Sequence, residues 1–211
     1  MKSDLYTDVL PENQLSLLKM LAEQEFIRNF YLAGGTALAL QIAHRRSLDF
    51  DFFTDADFNT NTLVLELNEL GIYKRENEEK NTINGTLNGI KISFFGYKYK
   101  MIDKFRTFKN IRLAGLKDIA AMKLEAIAGR GSKKDFIDMY FLMRIFTLDQ
   151  MLDFHKQKYG NGLSNRYHLM KSLAYFEDAD YEAMPLMIKP IAWNRVKKEF
   201  ISAIRQIDLL K

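Results

Sequence analysis

Two hydrophobic periods run along this chain, and one replaces the other near residue 116. In the first half, short helical stretches alternate with runs of period two. Leu15, Leu18, Leu21, Ala22 and Phe26 recur at helical spacing after Pro11-Glu12, a dipeptide suited to a first helical turn. Residues 30–33, FYLA, predict a short buried strand, Gly34-Gly35 a break, and residues 36–43 a helix packed on a sheet. In residues 48–54, LDFDFFT, alternation puts Leu48, Phe50 and Phe52 on one strand face and Asp49, Asp51 and Phe53 on the other. Residues 61–71 predict a capped helix ending at Gly71. Residues 82–95 predict a hairpin, because Asn88-Gly89 lies between two alternating runs and favours a type I′ turn.

From 116 onward the period is helical throughout. Residues 116–130, 133–146, 148–160, 166–176 and 192–210 each predict a helix. The fold class expected is therefore α+β, with a mixed-sheet core over 1–115 followed by a helical region over 116–211. The stretch GRGSKK (129–134) is too short to separate independent domains, so one continuous domain fits as well.

Composition narrows the class without naming it. A chain of 211 residues with 47% hydrophobic positions can bury a sizeable core. It has no cysteine, which excludes disulfides and thiolate metal sites and points to a reducing cytoplasm. The N-terminal stretch lacks the apolar core of a signal peptide, and no run is long enough to span a membrane. A net charge of +4 permits an RNA or nucleotide partner and equally fits a basic solvated surface. Three scattered histidines argue against a histidine metal site, and His155 and His168 read as helix-surface residues. Aromatics at helical spacing, among them Tyr140, Phe141, Tyr167, Tyr175, Phe176 and Trp193, read mostly as core.

The chemistry concentrates in residues 34–53, GGTALALQIAHRRSLDFDFF. Alternate strand residues share a face, so Asp49 and Asp51 would project together and repel unless a cation joins them. Mg²⁺ suits such a pair, because it takes a few carboxylates and completes its shell with water and phosphate oxygens. Gly34 and Gly35 would let a polyphosphate approach the backbone at a helix N-terminus, and the Thr36 hydroxyl could cap that helix or bond a phosphate. Arg45, Arg46 and Ser47 stand between helix and strand, where they could bind phosphate or form an exposed basic loop. Alone, each piece is commonplace: a D-x-D is usually an exposed strand face and a GG a turn. Their order within twenty residues is sharper.

That order resembles the AbiEii/AbiGii toxin nucleotidyltransferase family of the polymerase-β-like nucleotidyltransferase superfamily. The match runs through AGGTALALQIAHRRSLDFDFFT (33–54) and continues in MKLEAIAGRGSKKDFIDMYFL (122–142), which supplies Lys123, Arg130, Lys134, Asp135 and Asp138 in the family's order. It covers roughly residues 15–145. The resemblance implies that Asp49 and Asp51 bind Mg²⁺ or Mn²⁺ and that Gly34, Gly35 and Thr36 hold the triphosphate of an NTP; Arg46 and Ser47 stay nucleotide-binding candidates on their own chemistry and position. It also implies that Lys123 contacts a phosphate or the base and that Asp135 is the later functional aspartate, with Asp138 a second candidate. Without the family, Lys123 reads as a lysine reaching the surface from an apolar helix, and Asp135 and Asp138 as first-turn acids capped by Ser132.

Many superfamily members carry a third metal carboxylate on the following strand, where this chain has Ser93. The function implied is transfer of NMP from NTP to an acceptor hydroxyl on tRNA, other RNA, a protein or a small molecule. A role as toxin beside a cognate antitoxin is implied with it. The alternative that Ser93 opens is a nucleotide-binding or interaction module with little catalysis.

Overall fold

The structure is a computed structural model and describes residues 5–160 and 163–208. It divides into two units. One runs to Lys100 and includes Lys104–Ala114; the other takes Met101–Asp103 and continues from Gly115.

The first unit is built on a sheet in the order β3-β4-β5-β2-β1-β7-β6. Its elements are α1 (Glu12–Leu21), β1 (Tyr31–Ala33), α2 (Gly34–Ile42), β2 (Phe50–Thr54), α3 (Thr60–Glu69), β3 (Tyr73–Glu79), β4 (Thr82–Leu87), β5 (Ile90–Gly96), β6 (Arg106–Phe108) and β7 (Ile111–Leu113). The sheet is mixed: β2 runs parallel to β5 and β1 parallel to β7, and the other pairs are antiparallel. The expected hairpin is present, with Asn88 and Gly89 both at positive φ in the turn between β4 and β5. Asn59 caps α3 by accepting from the Thr62 N–H, so that helix starts one residue earlier than its sequence suggests.

Alternation in β2 sorts its residues as expected from Phe50 on. Phe50, Phe52 and Thr54 are buried, while Asp51 and Phe53 are half-buried. Phe52 stacks on Phe94 of β5 at 5.2 Å, and both are fully buried with Leu32 and Ile92. This apolar layer anchors the central strands and fixes which face Asp51 takes, because a one-residue slip would invert every side chain.

Two of these expectations change. The strand starts at Phe50, not Leu48, and Leu48 is 49% exposed. The Leu48 and Asp49 carbonyls accept from the side chains of Gln14 and Thr36, so this stretch is tied by side chains and not by a ladder. Gly34-Gly35 does not precede the helix but forms its first turn. Strands β3, β6 and β7 carry no alternation clear enough to predict them.

The second unit contains α4 (Leu116–Gly129), α5 (Lys133–Leu142), α6 (Leu148–Tyr159), α7 (Arg166–Leu173), α8 (Glu177–Asp180) and α9 (Trp193–Asp208). The last two residues of the helix expected over 192–210 lie outside the described residues. A Thr147–Gln150 capping box opens α6. Phe136, Phe176, Trp193 and Phe200 form an aromatic cluster with centroids 5.1–6.3 Å apart, edge-to-face except for the tilted Phe136–Phe176 pair. Tyr167 and Tyr175, expected in the core, are 79% and 50% exposed. His155 is buried against Glu125 and is not a surface residue. Asp118 is buried and ion-paired to Lys158 at 2.7 Å, and it also accepts the backbone N–H groups of Ile102 and Asp103.

Candidate active site

Extended backbone at Ala33 meets a left-handed residue, Gly34 at φ 67°, and the chain turns directly into α2. Only glycine takes that conformation without strain. Strand register sets what faces the turn. Ala33 pairs with Asp51, Asp51 with Ser93, and Ser93 with Asn84, so one row crosses β1, β2, β5 and β4. A Cβ on Gly34 would lie 2.8 Å from Asp51 Oδ2. The carboxylate therefore sits against the first turn of α2, where free N–H groups and the helix dipole favour negative charge. Ala33, the residue that precedes the helix, makes no side-chain cap.

Gly35 is equally constrained. A Cβ there would lie 2.5 Å from Arg45 Nη2 and 2.9 Å from Ser47 Oγ. Arg45 is buried, and its Nη1 donates to the Arg46 carbonyl at 2.9 Å. Of the basic pair, Arg45 is folded in beside the glycine turn and Arg46 is exposed. Thr36 is buried, and its hydroxyl donates to the Asp49 carbonyl, which fastens α2 to the segment that presents Asp49 and Asp51. Gly34, Gly35, Thr36, Arg45, Ser47, Asp49 and Asp51 thus belong to one neighbourhood. Asp49 is half-buried just ahead of β2.

Two carboxylates suit one divalent ion. The row places buried Ser93 beside Asp51, where a third carboxylate would stand, and Asn84 beyond it. Among the described residues no group of three or more His, Cys, Asp or Glu side chains could hold a metal ion. Asn84 was not singled out in the sequence; its only signal is a polar position inside an alternating run.

In the second unit Lys123, Arg130, Asp135 and Asp138 come together. Lys123 Nζ lies 2.8 Å from Asp135 Oδ1 and 2.6 Å from Asp138 Oδ2, and all three side chains are buried. Arg130 donates to Asp135 through Nε at 2.8 Å and Nη2 at 3.1 Å, while its own side chain is 60% exposed. Ser132 does not cap α5. Its hydroxyl donates to Asp135 Oδ2 at 2.7 Å. Burial pushes the Asp135 carboxyl upward, but the Lys123 charge and the Arg130 hydrogen bonds outweigh it and hold Asp135 well below the usual carboxylate range. The cluster holds two cations and two carboxylates, which neutralises the charge burial would otherwise penalise. Lys134 is exposed.

Residues 16–100 match the model of the family described as Nucleotidyl transferase AbiEii toxin, Type IV TA system. The protein aq_aa25 of Aquifex aeolicus is 38% identical over 203 residues, spanning 93% of this chain and 97% of its own. Two solved structures share the fold. JHP933 from Helicobacter pylori superposes with a TM-score of 0.56 at 18% identity, covering 94% of this chain and 93% of its own. MenT4, a nucleotidyltransferase toxin from Mycobacterium tuberculosis, superposes with a TM-score of 0.50 at 13% identity, covering 84% and 76%. No helix among the described residues is long and apolar enough to cross a membrane. The glycine turn and the D-x-D segment lie within the matched residues, and the chain belongs to the AbiEii family of nucleotidyltransferase toxins.

Proposed function

We propose that this protein transfers a nucleoside monophosphate from a Mg²⁺- or Mn²⁺-bound nucleoside triphosphate to an acceptor hydroxyl, and that RNA, tRNA included, supplies the acceptor. The observation that carries this reading is the approach of Gly34 to the Asp51 carboxylate, which sets one acid of the D-x-D against a helix N-terminus.

Asp49 and Asp51 are the residues that would hold the divalent ion. Bound there, the ion would neutralise charge on the phosphates and on the departing pyrophosphate. The chain's own contribution is placement. Gly34 and Gly35 keep the first turn of α2 bare, so backbone N–H groups can meet phosphate oxygens. Arg45 and Ser47, fixed against Gly35, and exposed Arg46 add charge-assisted donors. Thr36 holds the Asp49 carbonyl and so sets the acidic segment against the helix. The acceptor oxygen forms its bond to the α-phosphorus as the bond to pyrophosphate breaks, and the hydroxyl proton passes to water.

Lys123 serves as a positioning residue in this reading, because its ammonium is engaged by two carboxylates. Arg130, more exposed, is the member of that cluster suited to contact an anion. The physiological role that fits is the toxin of a pair with a cognate antitoxin, acting in the cytoplasm.

Ser93 favours one second reading, a nucleotide-binding module with slow turnover, since a serine beside Asp51 supplies no charge for another ion. Calorimetry with each nucleoside triphosphate, with and without Mg²⁺, tests the site itself. Tight Mg²⁺-dependent binding that disappears in Asp51→Asn supports it. Binding unchanged by that substitution contradicts it.

A further inference from the structure

Residues 97–109, YKYKMIDKFRTFK, interleave aromatic and basic side chains. The structure separates the two kinds. Tyr97, Tyr99, Phe105 and Phe108 are half-buried, while Lys98, Lys100, Lys104, Arg106 and Lys109 are exposed. The rings do not sit apart from one another. Tyr99 meets Tyr97 at 5.1 Å, and Tyr97 meets Phe53 edge-on at 5.3 Å. Phe53 stacks on Tyr31 at 5.8 Å, and Tyr31 meets Phe105 at 5.5 Å. The Arg112 guanidinium lies 4.9 Å from the Phe105 ring centre. Phe95 joins the belt beside Phe53 at 5.1 Å.

This belt crosses the sheet on the face that carries Asp51. Phe53 is two residues from Asp51 on β2, so both point the same way with about 7 Å between them along the strand. Tyr31 and Phe95 are the register partners of Phe53 on either side. At the Tyr97–Tyr99 end lies a cavity of about 450 Å³, lined also by Lys80, Asn81, Lys98 and Asp55. Asn81 shapes its wall by bonding Asp57 at 2.6 Å and the Phe58 N–H at 3.0 Å.

Half-exposed rings, joined through the buried ring of Tyr31 and edged by exposed cations, are costly as plain surface and well matched to one ligand class. Unstacked nucleobases lie on aromatic rings, and the phosphates between them pair with lysine and arginine. A duplex hides its bases from the rings, so rings and cations together favour an unpaired strand. We infer that the belt from Tyr99 to Phe105 is a binding track for single-stranded polynucleotide, with Lys98, Lys100, Lys104 and Arg106 holding the backbone. The track delivers a strand end to the Asp51 row. Its role as acceptor track rests on the transfer reaction proposed above; the binding itself does not.

The test is fluorescence anisotropy of a twelve-nucleotide single-stranded oligo(A) RNA with the full chain, without nucleotide or metal, over a series of salt concentrations. The expected result is salt-dependent binding, stronger than to a duplex RNA of the same length. Lys98→Glu with Lys100→Glu should flatten the salt slope by at least about 1.4, near 0.7 for each phosphate no longer neutralised. Tyr99→Ala should weaken binding about tenfold, the loss of one stacked base. Circular dichroism melts check that each variant is folded; both lysines are exposed, so the double variant reports even if Tyr99→Ala does not fold. Absence of RNA binding at low salt, equal or better binding of the duplex, or an unchanged salt slope in the lysine variant would overturn the track. Loss of nucleotide binding at Gly34–Asp51 with the track intact would instead remove the transfer reading alone.

Discussion

Asp51 Oδ2 lies 2.8 Å from the position that a Cβ would occupy on Gly34, itself at φ 67°. Gly34→Ala therefore meets two penalties. The left-handed backbone costs a residue with a Cβ about 1–2 kcal/mol, and the methyl displaces the carboxylate. The expected outcome is a lower melting temperature together with at least a tenfold loss of Mg²⁺-dependent nucleotide binding by calorimetry. Gly35→Ala presses on the buried Arg45 guanidinium and the Ser47 hydroxyl instead, without the left-handed backbone penalty. It should cost less stability, with nucleotide binding still weakened.

Ser93→Asp sets a second carboxylate beside Asp51 in the same sheet row. Two like charges at a buried position repel without a cation. The variant should melt lower than the parent in chelator and regain most of the difference in Mn²⁺. A melting temperature indifferent to Mn²⁺ would show that position 93 does not face the ion site.

Much of this arrangement was legible in the sequence, and the parts that were not have physical causes. Asn88-Gly89 declares its turn because few other dipeptides accept two positive φ angles in succession. Phe50 and Phe52 declare β2 because one of its faces is buried. Leu48 misleads, since it continues the alternation while side-chain bonds to the neighbouring carbonyls, not a ladder, hold the chain there. Strand β3, YKRENEE, lies at the sheet edge with one neighbour and mostly exposed side chains, so it needs no apolar alternation and shows none. The carboxylate pair, the glycines and the Lys-Arg-Asp order were visible as motifs. That Arg45 is buried, that Ser132 serves Asp135, and that Lys123 answers two carboxylates at once depend on packing that no spacing encodes.

Lys123→Met removes the cation that both Asp135 and Asp138 face. Breaking a buried pair from one side costs about 3–5 kcal/mol, so a large drop in the denaturant midpoint is expected. Arg130→Ala should cost much less stability, because its side chain is 60% exposed. Its larger effect should fall on transfer activity. Equal stability losses in the two variants would contradict this division of labour.

Asp135 also sets an acid limit. Its folded-state carboxyl is held below the unfolded value of about 3.9. The resulting stabilisation is fully present above that unfolded value and is lost as pH falls toward the folded one. Stability should therefore drop steeply below about pH 4. Asp135→Asn should be less stable at neutral pH and lose less on acidification. Denaturant melts between pH 2.5 and 7 check both slopes.

The central claim is that the Gly34–Asp51 turn moves a nucleotide onto an acceptor. Its most direct measurement is a transfer assay with purified protein, Mg²⁺, total cellular RNA and each labelled nucleoside triphosphate in turn, with an Asp49→Asn/Asp51→Asn protein as control. The expected result is label on RNA from at least one nucleotide, absent in the control. Label that persists in the double variant, or no transfer to RNA under conditions where nucleotide is tightly bound, would contradict it.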